Sequence, residues 1–272
     1  MLRSRDGLDI HLRSWKPDGE PRAILIMVHG FKAHAGLYDW PAEQLRSRGF
    51  AVYAHDQRGH GRSGGERLYV DDFEDYLDDL HAVVLTARAR EIPVPIYILG
   101  HSAGGVVSAS YVLEYQSEVE LAGFICESFA FEVYAPDFAL SVLKGVSHIA
   151  PHLHVLDLPD DAFSRDKAFV DRMKADPLIP HERYPVQTVA EMVRADEHLK
   201  KEFRSFTLPL LIMHGTADKV TKPHGSKLFH EKAGSRDKTL KLYDGYFHDP
   251  LADVGKERVM ADVVEWMTMR VS

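Results

Sequence analysis

The stretch Pro95-Ile96-Tyr97-Ile98-Leu99-Gly100-His101-Ser102-Ala103-Gly104-Gly105-Val106-Val107-Ser108-Ala109-Ser110 decides the reading of this chain. Its opening is a short apolar run, as a buried parallel strand requires. Its close is a run of small residues that reads as a tightly packed helix. Between them, Gly100 to Gly104 matches G-x-S-x-G. Strand, sharp turn and helix form the setting in which this motif lifts a serine hydroxyl above a sheet edge. The flanking glycines are needed because side chains there collide with the neighbouring strand and helix. The helix that follows aims backbone N–H groups and its positive end at any anion forming beside Ser102.

A serine hydroxyl is a weak nucleophile until a base takes its proton and an acid orients that base. With this motif the chain order is Ser, then Asp or Glu, then His. Leu208 to Gly215 reads as a buried strand, and Asp218 follows it. Thr239 to Tyr243 reads as the next strand, and Asp244-Gly245-Tyr246-Phe247-His248 follows it. A sheet presents its functional groups at these carboxyl ends. Ser102, Asp218 and His248 are therefore the candidate catalytic residues. Acyl transfer also needs two N–H donors for an oxyanion. Ala103, after the nucleophile, and Phe31, in the loop after the apolar run Ala23–Val28, are the candidates.

Outward from this centre, strands and helices alternate, which predicts a mostly parallel sheet covered by helices on both faces. Leu8–Trp15 fits an edge strand; Phe50–Ala54, Val94–Leu99 and Leu121–Cys126 complete the early strands. The last helix carries Val259, Val263, Trp266 and Met267 on one stripe. From Phe129 to Phe206 no strand-like run occurs, and a structureless loop of that length is implausible in a compact domain. Helical patterns around Asp137–Val146, Lys167–Lys174 and Val186–Phe203 predict a helical cap over 129–206, on a core of 1–128 and 207–272.

Composition narrows the partners. The chain has 272 residues, 45% of them hydrophobic, with a net charge of −8, enough for a large core and unsuited to nucleic acid. No segment reaches the length of a membrane span. Met1-Leu2-Arg3-Ser4-Arg5-Asp6 lacks the apolar centre of a signal peptide, so a cytoplasmic protein is expected. Cys126, the 1 cysteine, reads as a small buried hydrophobe. No cofactor, no metal and no obligate protein partner is expected.

The other conspicuous features have plain readings. Asp56 to Gly65 lacks the lysine and spacing of a phosphate-binding loop and reads as structural. His148, His152 and His154 lack the ligand framework of a metal site and read as surface or cap-packing residues. The acidic run Asp71, Asp72, Glu74, Asp75, Asp78 and Asp79 opens a helix and reads as a solvated face. The stripe Phe138, Val142, Leu143, Val146 and Ile149 is either the cap's own core or a transient contact with a lipid surface.

Taken together, His29-Gly30, Asp56 to Gly65, Gly100 to Gly104, Asp218 and His248 resemble the α/β-hydrolase superfamily, above all its monoacylglycerol lipase and lysophospholipase branch. Ser164-Arg165-Asp166 with Asp176-Pro177-Leu178-Ile179 is similar to a cap pattern of those lipases. The resemblance implies an α/β-hydrolase fold and a serine esterase acting through an acyl-enzyme. It implies small ester or lipid substrates such as monoacylglycerols and lysophospholipids. A thioesterase or amidase with the same triad, or a binding protein on this scaffold, are the alternatives. The chain departs from the family at the substrate end. Ala33 and Leu37 stand where a glutamate and an arginine commonly hold glycerol hydroxyls. Glu127 stands where a small residue or proline is usual; it either recognises a polar group of the substrate or is a surface carboxylate bonded to cap backbone. Leu37, Glu127 and Met192, on the third cap helix, are the candidate substrate-binding residues.

Overall fold

A seven-stranded sheet organises the computed structural model, which describes residues 1–134 and 136–271. In chain order the elements are β1 (Leu2–Arg3), β2 (Asp9–Ile10), β3 (Leu12–Trp15), β4 (Ala23–Val28), α1 (Asp39–Arg46), β5 (Phe50–His55), α2 (Glu74–Arg90), β6 (Ile96–His101), α3 (Ala103–Tyr115) and β7 (Gly123–Glu127). There follow α4 (Asp137–Ser147), β8 (His154–Leu156), α5 (Lys167–Ala175), β9 (Tyr184–Pro185) and α6 (Val186–Glu202). The chain then runs through β10 (Leu210–Gly215), α7 (Pro223–Lys232), β11 (Lys238–Tyr243) and α8 (Lys256–Thr268).

The strand order is β11-β10-β7-β6-β4-β5-β3. All neighbours pair in parallel except β3, which runs antiparallel to β5 at the edge. Strands β4 to β7 and β10 are buried along their whole length, which explains their unbroken apolar sequences. Alternate side chains of each strand enter two different cores. Ile24, Ile26 and Val28 pack with Leu80 of α2 and Val107 of α3. Leu25 and Met27 pack with Leu45 of α1 and Val263 and Trp266 of α8. Helices thus cover both faces, as the alternation predicts. Among the described residues, no helix is long and apolar enough to cross a membrane.

Several details differ from the sequence reading. The Leu8–Trp15 strand is split into β2 and β3. His11, between them, bonds instead to the loop after β5, donating its amide to Ser63 Oγ at 2.9 Å. The interval 129–206 holds the three expected helices but also an antiparallel pair, β8 with β9, too short to leave a sequence signal. The acidic face of α2 is not wholly solvated. Asp79 is fully buried and accepts from Arg58 Nε at 2.7 Å and Nη2 at 2.9 Å, because the loop after β5 turns that guanidinium into the core. The apolar stripe over 138–149 is divided: Leu143 packs beside Leu68, Tyr184 and Val189, while Phe138, Val142 and Ile149 are exposed, at 73%, 58% and 87%.

Candidate active site

Ser102 sits between β6 and α3 with φ 55° and ψ −121°. A non-glycine residue with positive φ outside a helix terminus is strained, and such strain persists where the surroundings impose it. Close approach of three backbone segments does so here. A Cβ on Gly104 would lie 2.2 Å from the Val28 carbonyl oxygen, and one on Gly30 would lie 2.7 Å from Ser102 Cβ. The ends of β4 and β6 and the first turn of α3 can meet only because these positions carry no side chain.

The three sequence candidates converge. His248 Nε2 lies 2.9 Å from Ser102 Oγ, and His248 Nδ1 lies 2.8 Å from Asp218 Oδ2. A carboxylate can only accept, so Nδ1 carries the proton and Nε2 is left as the acceptor that faces the hydroxyl. His248 is fully buried and Ser102 is 6% exposed. Asp218 is held by more than its base. Its Oδ1 accepts from the amides of Val220 at 2.7 Å and Thr221 at 3.0 Å. Its Oδ2 also takes Thr221 Oγ1 and His214 Nε2, each at 2.9 Å. Burial works against the Asp218 charge, but His248 and then His214 outweigh it and hold the carboxyl well below the usual carboxylate range. His101 Nε2 donates to the His248 carbonyl at 3.1 Å, and the edge of Phe163 closes the other side of the imidazole.

Phe31 and Ala103 flank the serine from two sides: Ala103 opens α3, and Gly30, next to Phe31, packs on Ser102 and Ala103 N. The Asp56–Gly65 loop braces this turn. Asp56 Oδ1 accepts from Ala35 N at 2.7 Å, its Oδ2 from Arg62 N at 2.8 Å, and Gln57 N donates to His29 Nε2 at 2.9 Å. The loop after β4 is also tied to the 137–206 segment by several polar contacts. Lys32 N donates to Tyr184 Oη at 2.6 Å; Lys32 Nζ meets Asp160 Oδ1 at 2.5 Å; and His34 Nε2 donates to Asp176 Oδ2 at 2.9 Å. Lys32 itself has φ 54° and a buried side chain. The Phe31 ring stacks on Tyr184 at 4.0 Å between centroids.

The three substrate-pocket candidates do not share one pocket wall. Leu37 is half-buried against Phe163, Phe169, Met173 and Ile179, an apolar cluster beside the triad. Met192 is buried in the core that contains α2 and α3. Glu127 is not a surface carboxylate: it is fully buried, and its Oε1 accepts from Leu251 N at 2.8 Å, in the loop that follows His248. A strand-end position read from sequence says nothing about which face of the sheet receives the side chain. A cavity of about 520 Å³ between α2, α3 and α6 is bordered by Phe73, Ser110, Glu191 and His198 and does not reach Ser102. The cap histidines are dispersed: His152 pairs with Glu66 at 2.8 Å, while His148 accepts from Arg194 at 3.3 Å.

Sequence reasoning missed His214, Lys32, Asp160 and Tyr184. The histidine had a signal, a polar residue inside the otherwise apolar β10. Lys32 had none, since a lysine in a loop reads as solvated.

Comparison with known proteins identifies the family. A family model described as serine aminopeptidase, S33 matches residues 19–255. A monoacylglycerol lipase of Mycolicibacterium smegmatis is 31% identical over 261 residues, covering 96% of this chain and 93% of the relative. A monoglyceride lipase of Rattus norvegicus is 32% identical over 277 residues, covering 100% and 90%. Among solved structures, a Paleococcus ferrophilus monoacylglycerol lipase superposes with a TM-score of 0.85 at 27% identity, covering 96% of this chain and 99% of that one. A soluble variant of the Saccharomyces cerevisiae monoglyceride lipase, solved with a substrate analogue, gives 0.88 at 20% identity over 100% and 95%, a likeness of fold.

Proposed function

The chain belongs to the serine aminopeptidase S33 family of α/β-hydrolases, and from that premise we propose that Ser102, His248 and Asp218 hydrolyse monoacylglycerol-like carboxylic esters. The protein is a serine hydrolase acting on carboxylic esters. The reading of its site rests on one observation, the unbroken line from Asp218 Oδ2 through both nitrogens of His248 to Ser102 Oγ.

In this reading His248 Nε2 takes the hydroxyl proton as Ser102 Oγ attacks the ester carbonyl. The imidazolium formed is stabilised by Asp218, whose charge is already fixed by two amides and His214. The amides of Phe31 and Ala103 receive the oxyanion. His248 returns the proton to the leaving alcohol, water attacks the acyl-enzyme by the same route, and the free acid departs. The acyl chain takes the apolar cluster of Phe163, Phe169 and Met173 beside the imidazole. Ala33 and Leu37 offer no hydrogen bonds to an alcohol, so the leaving group is read by shape more than by polar pairing.

Residues 129–206 act as the cap on this site, supported by the ties from Lys32 and His34 to Asp160, Tyr184 and Asp176. The exposed Phe138, Val142 and Ile149 serve as a transient contact with lipid aggregates that hold the substrate. A cytoplasmic setting fits a lone cysteine that is fully buried. The test is hydrolysis of monooleoylglycerol and p-nitrophenyl octanoate by the protein and its Ser102→Ala variant, with fluorophosphonate labelling. Labelling of the parent alone, with turnover lost by about 10⁴-fold or more in the variant, supports the reading. Retained turnover in Ser102→Ala overturns it.

A further inference from the structure

The reaction as derived leaves Glu127 without a task, yet this residue touches both halves of the reacting pair. Its carbonyl oxygen accepts from Ser102 N at 2.8 Å. Its carboxylate Oε1 accepts from Leu251 N at 2.8 Å, three residues beyond His248. The adjacent strand adds a parallel tie, from His101 Nε2 to the His248 carbonyl at 3.1 Å. The loop from 248 to 251 is therefore fastened at both ends to the tips of β6 and β7, the strands that flank the elbow.

The remaining oxygen of Glu127 is the puzzle. Among the described residues Oε2 has no hydrogen-bond partner, and neither does the buried hydroxyl of nearby Tyr38. The Asp249 carboxylate is drawn to the same spot: donor atoms of His101, Glu127 and Asp249 lie within 4.8 Å of one another. Among the described residues no lysine or arginine forms an ion pair with either carboxylate. Two like charges this close, with Glu127 fully buried and Asp249 partly so, repel strongly, and the usual resolution is that one stays protonated.

We propose that Glu127 and Asp249 hold one proton between them, and that this singly charged pair is a positioning device that keeps the His248 loop seated on the Ser102 elbow. The proposal rests on His248 being the base of the reaction. Burial, and then the Asp249 charge, push the Glu127 carboxyl well above its usual range, and burial pushes Asp249 up to about 6. The groups that face the pair are Tyr38 after β4, His101 on β6 and Tyr243 on β11; around Asp249 they are His248, Asp253 and Lys256. Burial and then His248 hold His101 down to about 3, so it stays neutral and donates no charge to offset a second carboxylate. As pH rises and the shared proton leaves, repulsion pushes Asp249 and the adjoining His248 away from the elbow. The base is then drawn off the Ser102 hydroxyl, and kcat falls.

The experiment measures kcat and KM for p-nitrophenyl octanoate between about pH 5 and 10 in the parent, Glu127→Gln and Asp249→Asn. Either amide removes one carboxyl from the pair and with it the repulsion. The expected result is an alkaline fall in kcat for the parent that moves up by about one pH unit or more in the variants. If Glu127→Gln does not fold, Asp249→Asn carries the same test. Alkaline limbs that superimpose on the parent's in the folded variants overturn the proposal. So does a stoichiometric divalent ion in the purified protein that is lost in Glu127→Gln, because a cation would then balance the two charges. Neither result touches the Ser102 assignment, which fails only if Ser102→Ala still turns over.

Discussion

His214 and His248 approach the same oxygen of Asp218 from two sides, at 2.9 and 2.8 Å. His214 in turn meets Ser226 Oγ at 2.7 Å, so its ring is fixed by α7 while it steadies the Asp218 carboxylate. Replacing it with phenylalanine keeps the volume and removes one charge-assisted hydrogen bond, worth about 1.5–3 kcal/mol. The kcat for p-nitrophenyl octanoate falls about 10- to 100-fold with KM little changed. Steady-state kinetics on a variant of parental thermal stability check this, and an unchanged kcat contradicts it.

Asp218 also sets an acid limit on stability. Its carboxyl titrates below its unfolded value, burial being outweighed by His248 and His214. The native state therefore binds fewer protons than the unfolded chain once pH falls past the ordinary carboxylate range near 4. The contribution is complete above that range and is lost as pH drops toward the lowered value. Thermal melts of the parent and Asp218→Asn between about pH 6 and 2 test the sign: the parent loses Tm more steeply below about pH 4. Parallel curves count against it.

Lys32 and Asp160 form a buried pair that joins the loop after β4 to the segment after β8. Removing either partner strands a charge, at a cost of about 3–5 kcal/mol. Lys32→Met and Asp160→Asn each lower stability by that order, while the double variant recovers a large share. Urea unfolding of the four proteins supplies the cycle. Strict additivity shows that the two side chains do not act as a pair.

The exposed apolar residues on and just after α4 carry a separate expectation. Phe138→Asp with Ile149→Asp lowers the initial rate on monooleoylglycerol presented in phospholipid vesicles by about tenfold, the loss of one well-buried apolar side chain. Rates on soluble p-nitrophenyl butyrate stay within about twofold. Equal losses on both substrates point to damage at the site rather than to docking.

The fold was legible because buried parallel strands leave an unmistakable trace: Ala23–Val28 and Leu210–Gly215 are almost wholly apolar, and each is followed by a polar turn. The meeting of Ser102, His248 and Asp218 was legible for a related reason, since strand ends are where a sheet can expose chemistry. What stayed hidden were contacts between residues far apart in sequence. Asp79 looked like its acidic neighbours until Arg58, 21 positions earlier, was seen to enclose it. Lys32 and Asp160 are separated along the chain by three strands of the sheet. Glu127 was noticed as unusual, but its face of the strand depends on register and not on residue type. β8 and β9, at 3 and 2 residues, are set by pairing with each other and not by local preference.

One consequence of enclosure remains. With the Phe163 ring against the imidazole and little of Ser102 in contact with solvent, an incoming molecule finds little open surface at the hydroxyl. Each cycle must therefore include admission and departure as events in their own right. Where those events are slower than acyl transfer, they and not the reacting groups set the pace of turnover.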